Sequence, residues 1–185
     1  MRLSINVDSL HAAFANMGNK IDNAIRASAQ AGAQVFYEEA VAKAPAKSGS
    51  LKSAIYQKFI PEMSADGVRA TYKVSWRTGY GKGADGAALS TAPHGHLIEF
   101  GWWQRYEMAK NERGEFIGPK RQPGSKGKKK PSSKASQAVK DAYWVPKEGG
   151  PVWHVPLSFI RASYTAKQAA ATTAIKAKLI EELTK

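Results

Sequence analysis

Apolar residues recur at three- and four-residue spacing through the first part of the chain: Leu10, Phe14, Met17, Ile21 and Ile25, then Gly32, Val35, Phe36 and Ala40. This spacing lays one apolar stripe along a long helix, whose plain role is to pack against a sheet. Asp8 or Ser9 offers a side-chain oxygen to cap its start. The ring of Pro45 disfavours α geometry at Ala44 and ends it. Gly18-Asn19 is a candidate kink. Ahead of the helix, Leu3, Ile5 and Val7 alternate as a short strand or extended arm would.

The period then changes from helical to twofold. Ser48-Gly49-Ser50 supplies a turn and Leu51 re-enters the core. Residues 53–59 read as a strand in which Ile55, Gln57 and Phe59 alternate with Tyr56 and Lys58. From Val68 to Arg77 the alternation is cleaner, with Val68, Ala70, Tyr72, Val74 and Trp76 on one face and charged or hydroxyl residues on the other, the pattern of a half-buried antiparallel strand. The two strands form a hairpin across residues 62–67. Gly79, Gly81, Gly83 and Gly86 punctuate a flexible loop that leads to Pro93.

His94-Gly95-His96-Leu97-Ile98-Glu99-Phe100-Gly101 is the stretch on which the rest turns. Leu97, Ile98 and Phe100 call for burial, and Gly101 permits a positive φ that a side chain resists. Glu99 is held between apolar neighbours. Burying a carboxylate unpaired costs several kcal/mol, so Glu99 requires backbone donors, a Lys or Arg, or a neighbouring subunit.

Beyond Trp102-Trp103-Gln104-Arg105-Tyr106 the pattern is lost in a polar excursion that runs to about Lys147. Such a length is uncommon inside a domain and marks a functional arm or a disordered segment. Residues 126–136 are Lys, Ser and Gly of low complexity, which bury too little apolar surface to offset their ordering and are expected to be mobile when unbound. Order resumes at Tyr143-Trp144-Val145-Pro146 and at Val152-Trp153-His154-Val155-Pro156, an edge strand stopped by proline. A second long helix starts at about Ser158, with Ile160, Tyr164, Ala171, Ile175, Leu179 and Leu183 as its stripe. No internal repeat is visible.

These elements predict an α+β fold: a long N-terminal helix and a C-terminal helix packed on an antiparallel β-sheet of three to five strands. At 185 residues the chain suits a single domain, residues 1–185, with 102–150 as an extended basic insertion. No apolar run is long enough to span a bilayer and the first residues lack the apolar core of a signal peptide, so neither membrane nor export is expected. The absence of cysteine removes disulfides and thiol catalysis.

Charge changes the picture more than composition does. The formal net charge is +13, and much of it lies between Lys120 and Lys134. There Lys120, Arg121, Lys126, Lys128, Lys129, Lys130 and Lys134 occur without one acid, which invites a polyanion. Trp102, Trp103, Tyr106 and Trp144 flank this segment, and Trp153 follows. Aromatics among cations suit stacking in single-stranded nucleic acid. They serve equally as anchors to the domain or to a neighbouring subunit, the preferred reading.

Reactive centres are hard to find. The glycines at 79–86 are followed by no Gly-Lys-Ser or Gly-Lys-Thr, so a phosphate cradle gives way to a plain loop. His94, His96, Glu99 and the distant His154 hold enough ligand types for a metal, but their spacing matches no hydrolase signature. Turn or interface roles suit them better. No serine lies in a nucleophile elbow. Neither enzyme activity nor a cofactor is expected.

Three segments, in this order, resemble those of one phage family. Ala44-Pro45-Ala46-Lys47-Ser48-Gly49-Ser50-Leu51-Lys52-Ser53-Ala54-Ile55 resembles its "aP..TG.L..si" segment, Leu97-Ile98-Glu99-Phe100-Gly101 its "yvEfGt", and Pro156-Leu157-Ser158-Phe159-Ile160-Arg161-Ala162 its "PFlrpA". The chain thus resembles the HK97 gp10-like tail-component family, over roughly residues 10–101 and 150–185. It departs where Trp102 replaces a small hydroxyl residue and where the following loop is much longer.

The resemblance implies a virion protein made in the host cytoplasm and placed at the junction of neck and tail. Its partners would be further copies of itself in a ring, most simply a hexamer, a head-connector or head-completion protein, and a tail-tube or tail-terminator protein, with contact to genome DNA open. Pro45, Gly49, Leu51, Glu99, Phe100, Gly101, Pro156, Phe159 and Ala162 match the family pattern, which is architectural and carries no catalytic residue. The competing expectation is a nucleic-acid-binding protein acting through residues 120–134.

Overall fold

The computed structural model describes residues 7–45, 49–65, 67–79, 88–114 and 116–185. The expectations for Leu3 and Ile5, for Ser48, and for Gly81, Gly83 and Gly86 lie outside these residues. The chain forms two compact units, one of Met1–Glu99 with Ser158–Lys185, the other of Phe100–Leu157.

The α+β class holds. In the first unit α1 (Val7–Lys43) runs unbroken through Gly18-Asn19, already includes Asp8 and Ser9, and stops before Pro45. Ser53 and Ala54 belong to a short helix, α2 (Ser50–Ala54), and β1 starts at Ile55 (Ile55–Phe59). β1 pairs antiparallel with β2 (Tyr72–Trp76), Ile55 opposite Trp76 and Phe59 opposite Tyr72. The predicted strand is therefore shorter at its start. Residues 60–65 and 67–71 instead accompany a 3₁₀ turn at Pro61–Met63, where the Thr71 N–H donates to Ser64 Oγ at 2.9 Å and the Ala65 N–H to Arg69 O at 2.8 Å. Here side-chain and turn bonds satisfy the backbone in place of the ladder. α3 (Gly95–Phe100) and α5 (Phe159–Thr184) complete the described helices of this unit.

The core gathers Ala40, Ala44, Leu51, Ile55 and Phe159, with Tyr37, Val74, Trp76 and Ile98 packed around it. Phe159 is fully buried, and its ring lies 5.5 Å from that of Trp76. The first residue of α3 seats Gly95 against the same indole, so closely that a Cβ there would overlap it.

The helical stripe is corrected in one respect. Phe14 and Met17 lie exposed, and from residue 14 onward the buried positions of α1 are small: Ala24, Ser28, Gly32, Ala33 and Ala40. On α5 the buried positions after Phe159 are Ser163 and Ala171. Small residues let two helix backbones approach closely, so α1 pairs chiefly with α5 rather than lying wholly on a sheet. Lys43 Nζ donates to Ala162 O at 3.2 Å, and Glu39 meets Lys43 and Lys167 at 3.2 and 3.5 Å across that seam. The hydrogen bond from Lys43 holds the Glu39 carboxyl below its usual range.

Gly32 tests this seam. A Cβ there would come within 2.6 Å of Ile175 Cγ1, a flexible and partly exposed side chain. Gly32→Ala should gain about 1 kcal/mol of helix propensity and lose a similar amount moving Ile175, leaving thermal unfolding nearly unchanged. Gly32→Leu should lower the midpoint clearly, because that bulk has nowhere to go.

Among the described residues the second unit holds four strands in two ladders. β3 (Trp102–Gln104) pairs antiparallel with β6 (Val152–His154), and β4 (Met108–Lys110) with β5 (Phe116–Pro119). The described strands thus form three two-stranded sheets instead of one sheet of three to five. Runs of only three to five residues, broken by Gly and Pro, supply too few ladder bonds to build one wide sheet.

Residues 126–136 are tied to the rest of the unit at several points. A 3₁₀ turn (Pro123–Ser125) places Ser125 fully buried, its hydroxyl donating to Gln122 O at 2.7 Å. The buried Tyr143 donates its hydroxyl to Lys128 O at 3.3 Å, and Lys140 Nζ donates to Ser133 O at 2.7 Å from the helix α4 (Gln137–Asp141). Anchors outside the low-complexity run hold it, and composition within the run could not show them.

Candidate functional site

α5 begins without help from its own N-cap: Ser158 adopts a left-handed conformation (φ 46°) and its side chain makes no capping bond. The first N–H groups of a helix lack internal partners and carry the positive end of the helix dipole. Glu99, at the end of α3, supplies what is missing. Its Oε2 accepts from the Ile160 N–H at 2.9 Å, and its Oε1 accepts from the Arg161 N–H and from Arg161 Nε, each at 3.1 Å. The Glu99 backbone carbonyl accepts from Arg161 Nη2 at 2.8 Å and from Ser158 Oγ at 3.2 Å. Arg161 Nη2 also donates to Ser158 Oγ at 2.9 Å.

The two partners differ in burial. Glu99 keeps 2% of its side-chain surface and Arg161 keeps 56%. The carboxylate is thus held mainly by main-chain donors and the helix dipole, with the guanidinium closing the outer side. Both of the within-chain options open to Glu99 are used together. Sequence reading specified the need for partners but not Ser158 or Arg161, which lie about sixty residues on. Only the PFlrpA-like segment marked them as part of a shared pattern.

The other motif residues sort by place. Leu51 and Phe159 belong to the core, and Gly49 takes φ 72° as the residue before α2. Pro45 ends α1, and Ala162 receives Lys43. Phe100 departs from expectation: it is 56% exposed, because α3 turns Glu99 inward and the residue after it cannot share that face. Pro156 is exposed as well.

In the second unit the aromatics divide between the faces of the β3–β6 ladder. Trp102 stacks on His154 at 4.3 Å, and Trp103 meets Trp153 at 5.3 Å. This second pair is open to solvent, at 57% and 42% exposure. Gly101 leads into β3 with φ 78°; a Cβ there would lie 2.6 Å from the Trp153 ring and 2.7 Å from the His154 carbonyl oxygen.

Tyr106 instead turns inward, donating to Asp141 Oδ1 at 3.1 Å and receiving Gln137 Nε2 at 2.9 Å. Burial, reinforced by that bond to a carboxylate, pushes the Tyr106 phenol above its usual pKa. Trp144 lies edge-on to Tyr143 at 4.6 Å and faces Arg121 across a backbone bridge. Lys120 is tied in by its own backbone, its N–H donating to Glu107 O and its carbonyl accepting from Val145. Lys126, Lys129 and Lys134 are exposed on the loop beside Lys128 and Lys130.

His94 is exposed, and two other histidines are engaged separately. His96 Nδ1 lies 2.9 Å from Pro93 O and His154 Nε2 lies 2.9 Å from Gln104 Oε1, while Glu99 is engaged as above. Among the described residues no three or more His, Asp or Glu side chains gather as a metal site would require. No helix among them is long and apolar enough to cross a membrane.

A paired-helix scaffold, a carboxylate clamp made of main-chain donors and small antiparallel ladders define an α+β protein. The chain belongs to the HK97-gp10-like family of bacteriophage proteins, whose model, described as "Bacteriophage HK97-gp10, putative tail-component", matches residues 8–101. Membership makes it a phage structural protein and places it in the virion. Comparison with curated proteins and with solved structures gave no match.

Proposed function

We propose that this chain completes the phage tail and joins it to the head, acting through shape and assembly and without catalysis. In this reading its copies form a ring, most simply sixfold, at the neck. One side meets a head-connector or head-completion protein and the other a tail-tube or tail-terminator protein. Membership of a phage tail-component family supports this reading. The observation that carries the reading further is the apolar surface a lone chain leaves uncovered: Phe14 and Met17 on α1, Ile180 and Leu183 on α5, and the Trp103–Trp153 pair. Exposed aromatics and contiguous apolar residues of this kind mark protein interfaces.

Light scattering and negative-stain imaging of the purified chain, alone and with its neighbouring connector and tail-tube proteins, test this. A closed ring is expected in at least one mixture. Trp103→Ala with Trp153→Ala should weaken assembly by roughly tenfold or more while circular dichroism stays unchanged, as loss of interface anchors does. Monomers in every mixture would refute the proposal, as would infectious particles, heads and tails joined, that lack the protein.

A further inference from the structure

The second unit carries a feature that joining heads to tails does not require. Two clefts of about 390 and 360 Å³ share Pro119, Lys130 and Trp144 as lining residues. Ala109 and Ile117 add apolar wall to the first, and Arg121 stands at it. Lys140 and Ser133 border the second. The Lys130 ammonium lies 5.9 Å from the centre of the Trp144 ring, and the Arg121 guanidinium lies 5.9 Å from that of Tyr143. Each cation thus sits beside a ring, and Trp144 is the ring that lines both clefts of this ledge, with Tyr143 buried behind it.

Three observations give that ledge a ligand class. First, residues 100–157 hold twelve Lys or Arg against five acids. Among the described residues the ion pair in this unit is Lys147 with Glu107 at 3.9 Å, and none involves the acid-free run from Lys120 to Lys134. Those charges are available to an outside anion. Second, the buried Ser125, the Tyr143 bond to Lys128 O and the Lys140 bond to Ser133 O tie the loop that bears Lys130 back to the aromatic side of the cleft. Third, the wall beside the cations is apolar and includes one indole, Trp144 with Pro119, Ala109 and Ile117. A simple anion needs no such wall, whereas a nucleobase does. A base can enter a cleft only when unstacked from a duplex.

We infer that this ledge binds single-stranded nucleic acid, with phosphates on Arg121 and Lys130 and one base lodged against Trp144. The inference goes beyond the joining role and stands whether or not the chain forms a ring.

Fluorescence anisotropy of labelled fifteen-residue oligothymidylate and oligouridylate with the full chain, over a salt series, is the test. Binding of either strand above the matched duplex is expected. Trp144→Ala should weaken it by roughly tenfold or more at constant salt, since stacking on one aromatic commonly carries that much. Trp144→Phe keeps an aromatic face and should bind within about threefold of the parent, which separates stacking from misfolding. Arg121→Ala with Lys130→Ala should reduce the slope of log affinity against log salt by about 1.4, two phosphate contacts on a single strand. No binding of either strand at about 50 mM salt, where such contacts are strong, would overturn the inference. So would a duplex bound as tightly as the strands, or Trp144→Phe losing as much as Trp144→Ala.

Discussion

Glu99→Ala should destabilise the first unit by about 3 kcal/mol, the sum of a lost helix cap and of charge-assisted bonds to buried partners. For a unit of this size, that lowers the thermal midpoint by about 10 °C. The alanine leaves the Ile160 and Arg161 N–H groups at the head of α5 without their acceptor, in a place water reaches poorly. Arg161→Ala should cost only about 1 kcal/mol, because the guanidinium is more than half exposed and Glu99 keeps both main-chain donors. Glu99→Gln should fall between them: it keeps the volume but sets an amide NH₂ against donors. Calorimetry of the three variants gives the ranking. An Arg161→Ala loss equal to that of Glu99→Ala would show that the ion pair, rather than the helix cap, holds the clamp.

Gly101→Ala should damage the second unit more than its one added methyl suggests. An alanine at φ 78° costs about 1–2 kcal/mol in backbone strain alone. The new Cβ would also press on the Trp153 ring and the His154 carbonyl oxygen. The ring can turn, but the carbonyl belongs to the β6 strand that pairs with β3. Together the expected loss is about 3 kcal/mol, with overpacking contributing the rest. Because Trp102 and Trp103 lie just beyond this position, near-ultraviolet circular dichroism should lose intensity alongside the fall in stability. An unchanged spectrum and midpoint would mean that the β3–β6 ladder shifts freely to admit the methyl.

What the sequence revealed depended on how local the physics was. α1 and its stop at Pro45 were legible because periodicity and the proline ring act within a turn or two. The β1–β2 hairpin was legible from alternation, although the first residues of the second strand were lost to the Ser64–Thr71 bond, which no periodicity foretells. The stripe of α1 misled at Phe14 and Met17. Hydrophobicity predicted burial there, whereas in the single chain close helix approach buries Ala24, Ser28 and Gly32.

At the site, a carboxylate among apolar neighbours announced that it needed partners. Identifying Ser158 and Arg161 would have required knowing that residues far apart in sequence meet. The same limit hid the anchoring of the basic loop, since Ser125 and Tyr143 lie on either side of the run they hold.

The clamp on α5 has a consequence for how members of such a family can diverge. The chain leaves the first unit at Glu99 and returns at Ser158, and those two residues are bonded to each other. Everything between them passes through one doorway, and the family match ends at its threshold, residue 101. Closing a loop of some sixty residues costs only about 1.5 kcal/mol more than closing one of ten. The segment beyond the doorway can therefore be lengthened or trimmed at little cost in closure entropy, while the hydrogen bonds that hold the head of α5 stay as they are.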